Sequence, residues 1–239
     1  MKKRVVTILS CLLSLQAFAQ QTVVKIPTFL SHEELPSATR YIAEPPQPGN
    51  GAFENDRYYY LWGKEQRQTP QGALAAIDEE LPTSKAFSPA AGFTVSSEET
   101  PEIYKLAEGA HKAARADNKQ AKSHYRRPRP FVYFQEPSLI PKYDAEYAAS
   151  YSYPSGHSVR GWVYALTLAL VVPDSTEALI ARAQAFALNR VICGRHWKSD
   201  IDASLVEATA VMSRLQSNAA FRKQLKKARR EYARLRKNR

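Results

Sequence analysis

The stretch SGHSVRGWVYALTLALVV, Ser155–Val172, decides the fold class of this chain. Ser155 is a residue type that favours a helix N-cap, and Pro173 stops the apolar run that follows. The apolar run Trp162–Val172 contains one polar residue, Thr167. It is well short of the roughly 20 residues that span a bilayer. The stretch therefore predicts a helix in a protein core.

Helical patterns lie on both sides of this stretch. Thr69 with Pro70, and Thr100 with Pro101, are typical helix starts, and Gly194 is a typical helix end. No convincing period-two pattern is present, so we predict an all-α fold, a single-domain helical bundle covering residues 20–221. The further predicted helices cover residues 53–68, 69–81, 97–125, 175–193 and 199–216.

The first nineteen residues have the pattern of an export signal. A basic start is followed by the apolar residues Val5–Leu15 and by the cleavage pattern Ala17-Phe18-Ala19. We therefore expect a periplasmic or secreted mature protein that begins near Gln20. Cleavage would leave Cys193 as the one cysteine, which excludes an intramolecular disulfide bond in the mature chain.

The positive charge of the chain is concentrated at its C-terminus. Arg222–Arg239 contains ten Lys or Arg residues and one acidic residue, Glu231, whereas residues 20–221 are nearly neutral. This segment predicts a terminal helix that has a solvated basic face and packs an apolar stripe on the body of the protein. Binding of the segment to nucleic acid or to an anionic surface is an alternative. Homo-oligomerisation of the protein stays open. The stripe consists of Phe221, Leu225, Ala228, Tyr232 and Leu235.

Three islands contain residue types that carry chemistry: KSHYRRPRP at 122–130, PSGH at 154–157 and NRVICGRHWKSDID at 189–202. Taken singly, each has a plain structural explanation: a solvated basic loop, a serine-capped helix, and a capped helix start with a surface histidine or half of a metal site. Together they match phosphoryl transfer, which needs fixed cations, helix-start N–H donors, a nucleophile and an acid.

The candidate site residues follow from this combination. A carboxylate four residues after a histidine can hold one imidazole nitrogen and leave the other free to attack. The candidates are the cations Lys122, Arg129 and Arg190, the donors Ser155 and Gly156, the histidines His157 and His196, and the carboxylate Asp200.

The order and spacing of these residues resemble a known family. Lys-x6-Arg-Pro, Pro-Ser-Gly-His and Arg-x5-His-x3-Asp together resemble the three-part motif of the type 2 phosphatidic acid phosphatase superfamily. Within it, the chain is most similar to the bacterial class A non-specific acid phosphatases, which are secreted or periplasmic all-helical enzymes. The similarity extends from about Tyr41 to the start of the basic tail.

The resemblance implies a role for each candidate. His196 would attack phosphorus and become a phosphohistidine, Asp200 would orient it, and His157 would protonate the leaving alcohol and later activate water. The resemblance implies no metal or other cofactor. It implies a broad range of small phosphorylated substrates, and inhibition by vanadate or phosphate bound in the site. The phosphate would be held by Lys122, Arg129, Ser155, Gly156 and Arg190.

Departures from the family pattern and two alternatives remain. Asn189 stands where the family usually has serine, and Arg160 and Arg195 are extra cations that we expect to favour multiply charged substrates. The superfamily also contains vanadium-dependent haloperoxidases, on much longer chains, and lipid phosphate phosphatases that act at a membrane surface.

Overall fold

The structure, a computed structural model, describes residues 24–237 of the protein. The predicted signal segment lies outside the described residues. Within this range the chain forms helices and no β-strand, which confirms the predicted all-α fold. The α-helices are α1 (Gly51–Gln66), α2 (Pro70–Glu80), α3 (Thr83–Ala91), α4 (Pro101–Tyr125), α5 (Pro130–Tyr133), α6 (Asp144–Ala148), α7 (Gly156–Val171), α8 (Thr176–Ile192), α9 (Lys198–Ser217) and α10 (Ala219–Lys237).

Several helix ends follow the local rules that predicted them. The Thr69 side chain accepts a hydrogen bond from the Gln71 N–H at 3.2 Å, and Pro70 takes the first helical position of α2. Gly194 ends the turn after α8 with φ of 74°, a conformation that favours glycine. A Cβ atom at Gly194 would also lie 2.3 Å from Arg67 Nη2, so a larger residue would have to displace the end of that side chain.

Two helix assignments differ from the prediction. We expected Ser199 or Asp200 to open α9, but the N-cap is Trp197, because the Asp200 carboxylate folds back to accept the Trp197 N–H at 2.9 Å. Helix α3 was not predicted, since it is short and has Pro89 inside it.

Helix α7 lies at the centre of the molecule and contacts α4, α8 and α9. Val163, Ala165 and Leu168 are completely buried, and burying each large apolar side chain contributes about 1.5–3 kcal/mol to folding. This packing fixes the start of α7 relative to the other site helices. Across residues 24–237, no helix combines the length and the apolar composition that crossing a bilayer requires.

The C-terminal basic segment is part of α10, which packs on α4. Phe221 and Ala228 on its apolar stripe are completely buried. Glu231 accepts hydrogen bonds from the N–H groups of Glu102 and Ile103 at 3.1 and 2.9 Å, where an acidic side chain favours a helix start. The segment is therefore docked through its apolar face, with most of its lysines and arginines exposed.

Candidate active site

The three islands meet at the adjoining starts of α7 and α9 and the end of α8. His196 lies in the turn before α9, and its Nδ1 is 3.1 Å from Oδ2 of Asp200 in the first turn of that helix. Both side chains are buried, with relative exposures of 1% and 0%. The carboxylate accepts the Nδ1 hydrogen, so the unprotonated nitrogen of His196 is Nε2.

Arg129 faces that free nitrogen. Its Nη1 lies 3.0 Å from His196 Nε2 and 3.0 Å from the carbonyl oxygen of Arg195. An arginine donates hydrogen bonds and accepts none, so this contact requires a lone pair on Nε2. Its other nitrogens bind acceptors in the segment 147–151, which fixes the guanidinium against the nucleophilic position.

Burial lowers the pKa of His196 well below its usual range, and the nearby charges of Arg129, Lys122 and Arg190 lower it further. The imidazole therefore stays neutral in acidic solution. A neutral histidine is nucleophilic, whereas a protonated one is not, so the cations around His196 preserve its reactivity at low pH.

Arg190 brings a second guanidinium to the site from the last turn of α8. It is 1% exposed and forms an ion pair with Glu79 of α2. Burial raises the pKa of Glu79, but the charge of Arg190 outweighs this effect, so the pKa stays below its ordinary value. Its Nε and Nη2 are buried without a hydrogen-bond partner among the described residues. Unpaired buried donors are costly, and an anion beside them would remove that cost.

Lys122 reaches the site from α4. Its Nζ donates to the carbonyl oxygens of Tyr151 and Ser152 at 2.6 and 3.3 Å. Burial and the charge of Arg129 lower the pKa of Lys122 to about 7. The ammonium group is therefore charged in acidic solution and loses its proton near neutrality.

The start of α7 supplies backbone donors, though not in the way predicted for Ser155. The Ser155 N–H donates to the carbonyl oxygen of Asp200 at 3.1 Å, and its Oγ caps the helix by accepting the Ser158 N–H at 3.3 Å. The N–H groups of Gly156 and His157 precede the first intrahelical hydrogen bond and suit an anion. A Cβ atom at Gly156 would lie 3.0 Å from Asn118 Oδ1, so glycine permits the close approach to α4.

His157 is partly buried and lines an open cavity of about 340 Å³, together with Lys122 and Gly156. His196, Arg129 and Arg190 lie deeper, because they are almost completely buried. Burial, followed by the charges of Arg190, Arg160, Arg129 and Lys122, lowers the pKa of His157 well below its usual range. An anion among these cations would restore its proton affinity.

The structure adds a buried network behind the His196–Asp200 pair that the sequence did not indicate. Arg127 bridges Asp200 and Asp56 of α1, with each nitrogen–oxygen distance 2.7 Å. Ser199 joins it, since its N–H and Oγ both bind Asp56, at 2.7 and 2.6 Å. Arg127 belongs to the first island, where we singled out Lys122 and Arg129, whereas nothing in the sequence around Asp56 marks it.

Two of the residues named as departures from the family pattern bind other groups of the protein. Arg195 is completely buried, lies 2.7 Å from Asp144 Oδ1 and stacks 4.2 Å from the centre of the Tyr147 ring. These contacts are structural and give no support to the expectation that Arg195 favours multiply charged substrates. Asn189 donates to Asp78 Oδ2 and accepts from Gln71 Nε2, both at 2.7 Å, which holds its side chain against α2.

The other chemical alternatives receive no support from the geometry. Cys193 is buried, and burial raises the pKa of its thiol to about 11, which makes it a poor nucleophile. Among residues 24–237, no three His, Cys, Asp or Glu side chains are grouped so that they could hold a metal ion. The His196–Asp200 pair instead faces only cations and donors.

A helical protein with a buried histidine–aspartate pair, surrounded by cations at a helix start, has the architecture of a phosphoryl-transfer site. Comparison with known proteins places it more narrowly. Residues 109–220 match the model of the PAP2 superfamily, a range that includes all eight predicted site residues.

Full-length relatives agree with this match. The chain is 34% identical to a non-specific acid phosphatase of Providencia stuartii over 87% of this chain and 86% of the relative. It is 32% identical to a non-specific acid phosphatase of Salmonella typhimurium, covering 86% and 84%, and 31% identical to an acid phosphatase of Zymomonas mobilis, covering 80% and 74%. The chain belongs to the PAP2 superfamily, among the bacterial non-specific acid phosphatases.

Proposed function

We propose that this protein is a metal-independent acid phosphatase that hydrolyses small phosphate monoesters through a phosphohistidine on His196. The observation that carries the proposal is the Arg129 guanidinium 3.0 Å from the Nε2 lone pair of His196, together with the unpartnered donors of Arg190, whose charge is near enough to lower the pKa of His196. A phosphoryl group placed there would meet a nucleophile and two fixed cations.

In the first step, His196 Nε2 attacks phosphorus and a P–N bond forms as the ester P–O bond breaks. His157 gives its proton to the departing oxygen, so the alcohol leaves neutral. Asp200 stabilises the positive charge that develops on the His196 ring. Arg129 donates to a phosphoryl oxygen in place of Nε2, joined by Arg190, Lys122, the hydroxyl of Ser155 and the N–H of Gly156.

In the second step, the now neutral His157 removes a proton from water. The resulting hydroxide attacks phosphorus, the P–N bond breaks, and phosphate and neutral His196 are released. His157 regains the proton that the next leaving group requires. The two steps use no oxidant or reductant, and their protons balance over one turnover.

Low pH suits all three titrating groups of this mechanism. Burial, together with neighbouring cations, lowers the pKa of His196, so the nucleophile remains neutral in acid. His157 and Lys122 have lowered pKa values as well, and both must be protonated to serve as acid and as cation. The protein is therefore expected to be most active below neutral pH.

The same proposal covers location and ligands. The export signal predicted in residues 1–19 supports a periplasmic or secreted enzyme. Vanadate and phosphate, which carry the same oxyanion groups as the substrate, should inhibit by occupying the cations around His196. Haloperoxidase activity is the alternative outcome for a vanadate-loaded protein.

The test is hydrolysis of 4-nitrophenyl phosphate in the presence of a chelator by wild type, His196→Ala and His124→Ala. His124 is the matched control, since its side chain is 56% exposed and lies outside the site. Wild type and the control should be active with chelator present, and His196→Ala should be inactive. Loss of wild-type activity on chelation, or full activity of His196→Ala, would contradict the mechanism.

A further inference from the structure

The cavity beside His157 continues outward as a groove between α4 and α7. His111, Arg115 and Lys119 follow one another at four-residue intervals along α4, so they lie on one face of that helix. Arg160, one turn after His157 on α7, lines the opposite wall. We refer to these four residues as the α4–α7 groove.

The α4–α7 groove has more positive charge than its surroundings neutralise. Arg115 and Lys119 are exposed and form no ion pair with any described residue. The Arg160 Nε is buried without a hydrogen-bond partner within residues 24–237. The nearby carboxylates are Glu108, which binds the Tyr164 hydroxyl and lies 3.5 Å from His111 Nδ1, and the buried Glu207, which accepts from Asn118 Nδ2 at 2.9 Å. Burial raises the pKa of Glu207 to about 8, so the two residues offset only part of the charge.

The direction of the reaction places the leaving group in this groove. His157 delivers its proton to the leaving oxygen, while Arg129 and Arg190 hold the phosphoryl oxygens on the buried side. The alcohol must therefore extend away from His196, past His157, into the open part of the cavity. The cations that line this part of the cavity include Arg160 and the cationic face of α4.

We propose that the α4–α7 groove binds a second phosphate group on the leaving alcohol, which makes bisphosphorylated compounds preferred substrates. This inference rests on the proposed function, because it takes the direction of the leaving group from it. It keeps the expectation that Arg160 favours multiply charged substrates. The same role, which we expected of Arg195, is assigned instead to Arg115 and Lys119.

The test compares 1,4-butanediol bisphosphate with butyl phosphate, two substrates that share a butyl chain and differ in the second phosphate. The quantity measured is kcat/KM for the bisphosphate divided by kcat/KM for butyl phosphate. Because the bisphosphate has two equivalent ester groups, this ratio is about two even without a second binding site. The variants are Arg115→Gln/Lys119→Gln in the groove and Lys223→Gln/Lys226→Gln on exposed positions of α10, which removes the same charge elsewhere. Because both substrates are measured on each enzyme, the ratio cancels effects on the phosphoryl site.

We expect a wild-type ratio of at least ten, a fall of at least threefold in the groove variant, and the wild-type ratio in the α10 control. The wild-type ratio should also fall with added salt, because these charges are exposed to solvent. A wild-type ratio near two, an unchanged ratio in the groove variant, or an equal fall in the control would overturn the proposal.

Binding separates this inference from the proposed function. Calorimetric titration of the same two compounds into His196→Ala measures their Kd ratio without turnover, and the groove substitutions are then added to that background. Absence of wild-type hydrolysis together with a groove-dependent Kd ratio would refute the phosphatase mechanism and keep the subsite. Hydrolysis of both compounds, with a Kd ratio that the groove substitutions leave unchanged, would keep the phosphatase mechanism and refute the subsite.

Discussion

The two halves of the candidate site are built differently. Around His196, both carboxylate oxygens of Asp200 and both terminal nitrogens of Arg127 are hydrogen-bonded inside the protein, and the side chains are almost completely buried. Around His157, the wall is open; Arg115 and Lys119 form no ion pair and Arg160 Nε forms no hydrogen bond within residues 24–237. In the proposed mechanism the phosphoryl group, which is the same in every substrate, binds in the fixed half, and the leaving alcohol, which varies, binds in the open half.

Asp200→Asn should give the largest effect, because it breaks the fixed half at its centre. An amide can present the wrong hydrogen-bonding partner to Nδ1 and cannot stabilise the charged ring, and replacement of the equivalent carboxylate in catalytic triads lowers kcat by about 10⁴-fold. The measurement is kcat on 4-nitrophenyl phosphate. Asp202→Asn, an exposed carboxylate paired with Lys198, is the control. Comparable kcat values for the two variants would contradict the role of Asp200.

His157→Ala tests the open half and should give the next largest effect. General acid catalysis contributes about 10²–10⁴-fold, and it matters most for alcohols that leave poorly. The kcat/KM for butyl phosphate should therefore fall much more than the value for 4-nitrophenyl phosphate, whose leaving group needs little protonation. Equal losses on the two substrates would show that His157 does not protonate the leaving oxygen.

The pH dependence of kcat/KM sharpens the comparison by titrating the cation that lies between the halves. Lys122, with a pKa of about 7, is charged below that pH and neutral above it. The decline of kcat/KM with rising pH should therefore become steeper near pH 7, by about one further factor of ten per pH unit. Lys122→Arg, which stays charged, should remove this steepening. A profile unchanged by the substitution would contradict the role of Lys122.

Asn189→Ser should have the smallest effect on activity. The side chain binds Asp78 and Gln71 of α2, so its loss removes a hydrogen bond to a buried carboxylate that is worth about 1.5–3 kcal/mol. We expect a Tm lower by several degrees in thermal unfolding and a kcat/KM within about threefold of wild type. Gln71→Ala, which removes the other bond, provides the stability control. A larger change in kcat/KM than this would place Asn189 in the phosphate site.

The sequence predicts what depends on local chemistry. The helix start at Thr69 and Pro70 and the turn at Gly194 depend on neighbouring residues, so they could be predicted. The positions of Asp56 and Glu79 depend on contacts with Arg127 and Arg190, which lie 71 and 111 residues further along the chain. No local pattern encodes these pairings.

Arg195 also shows that local sequence does not determine contacts in the folded protein. Its position next to His196 led us to expect a cation that favours multiply charged substrates, yet the side chain turns toward Asp144 and the ring of Tyr147. Adjacency in sequence did not determine the direction of the side chain, because the turn before α9 sends consecutive side chains to different sides. The resemblance located the motif residues, and the structure was needed for the groups that support them.

Trapping of the phosphorylated enzyme tests the central claim most directly. Wild type, His196→Ala and His157→Ala are mixed with ³²P-labelled 4-nitrophenyl phosphate and quenched in alkali, in which a phosphohistidine survives, and the labelled peptide is identified. The mechanism predicts label on His196 in wild type, more label in His157→Ala because water is no longer activated, and none in His196→Ala. Label on another residue, or turnover by His196→Ala without label, would contradict it.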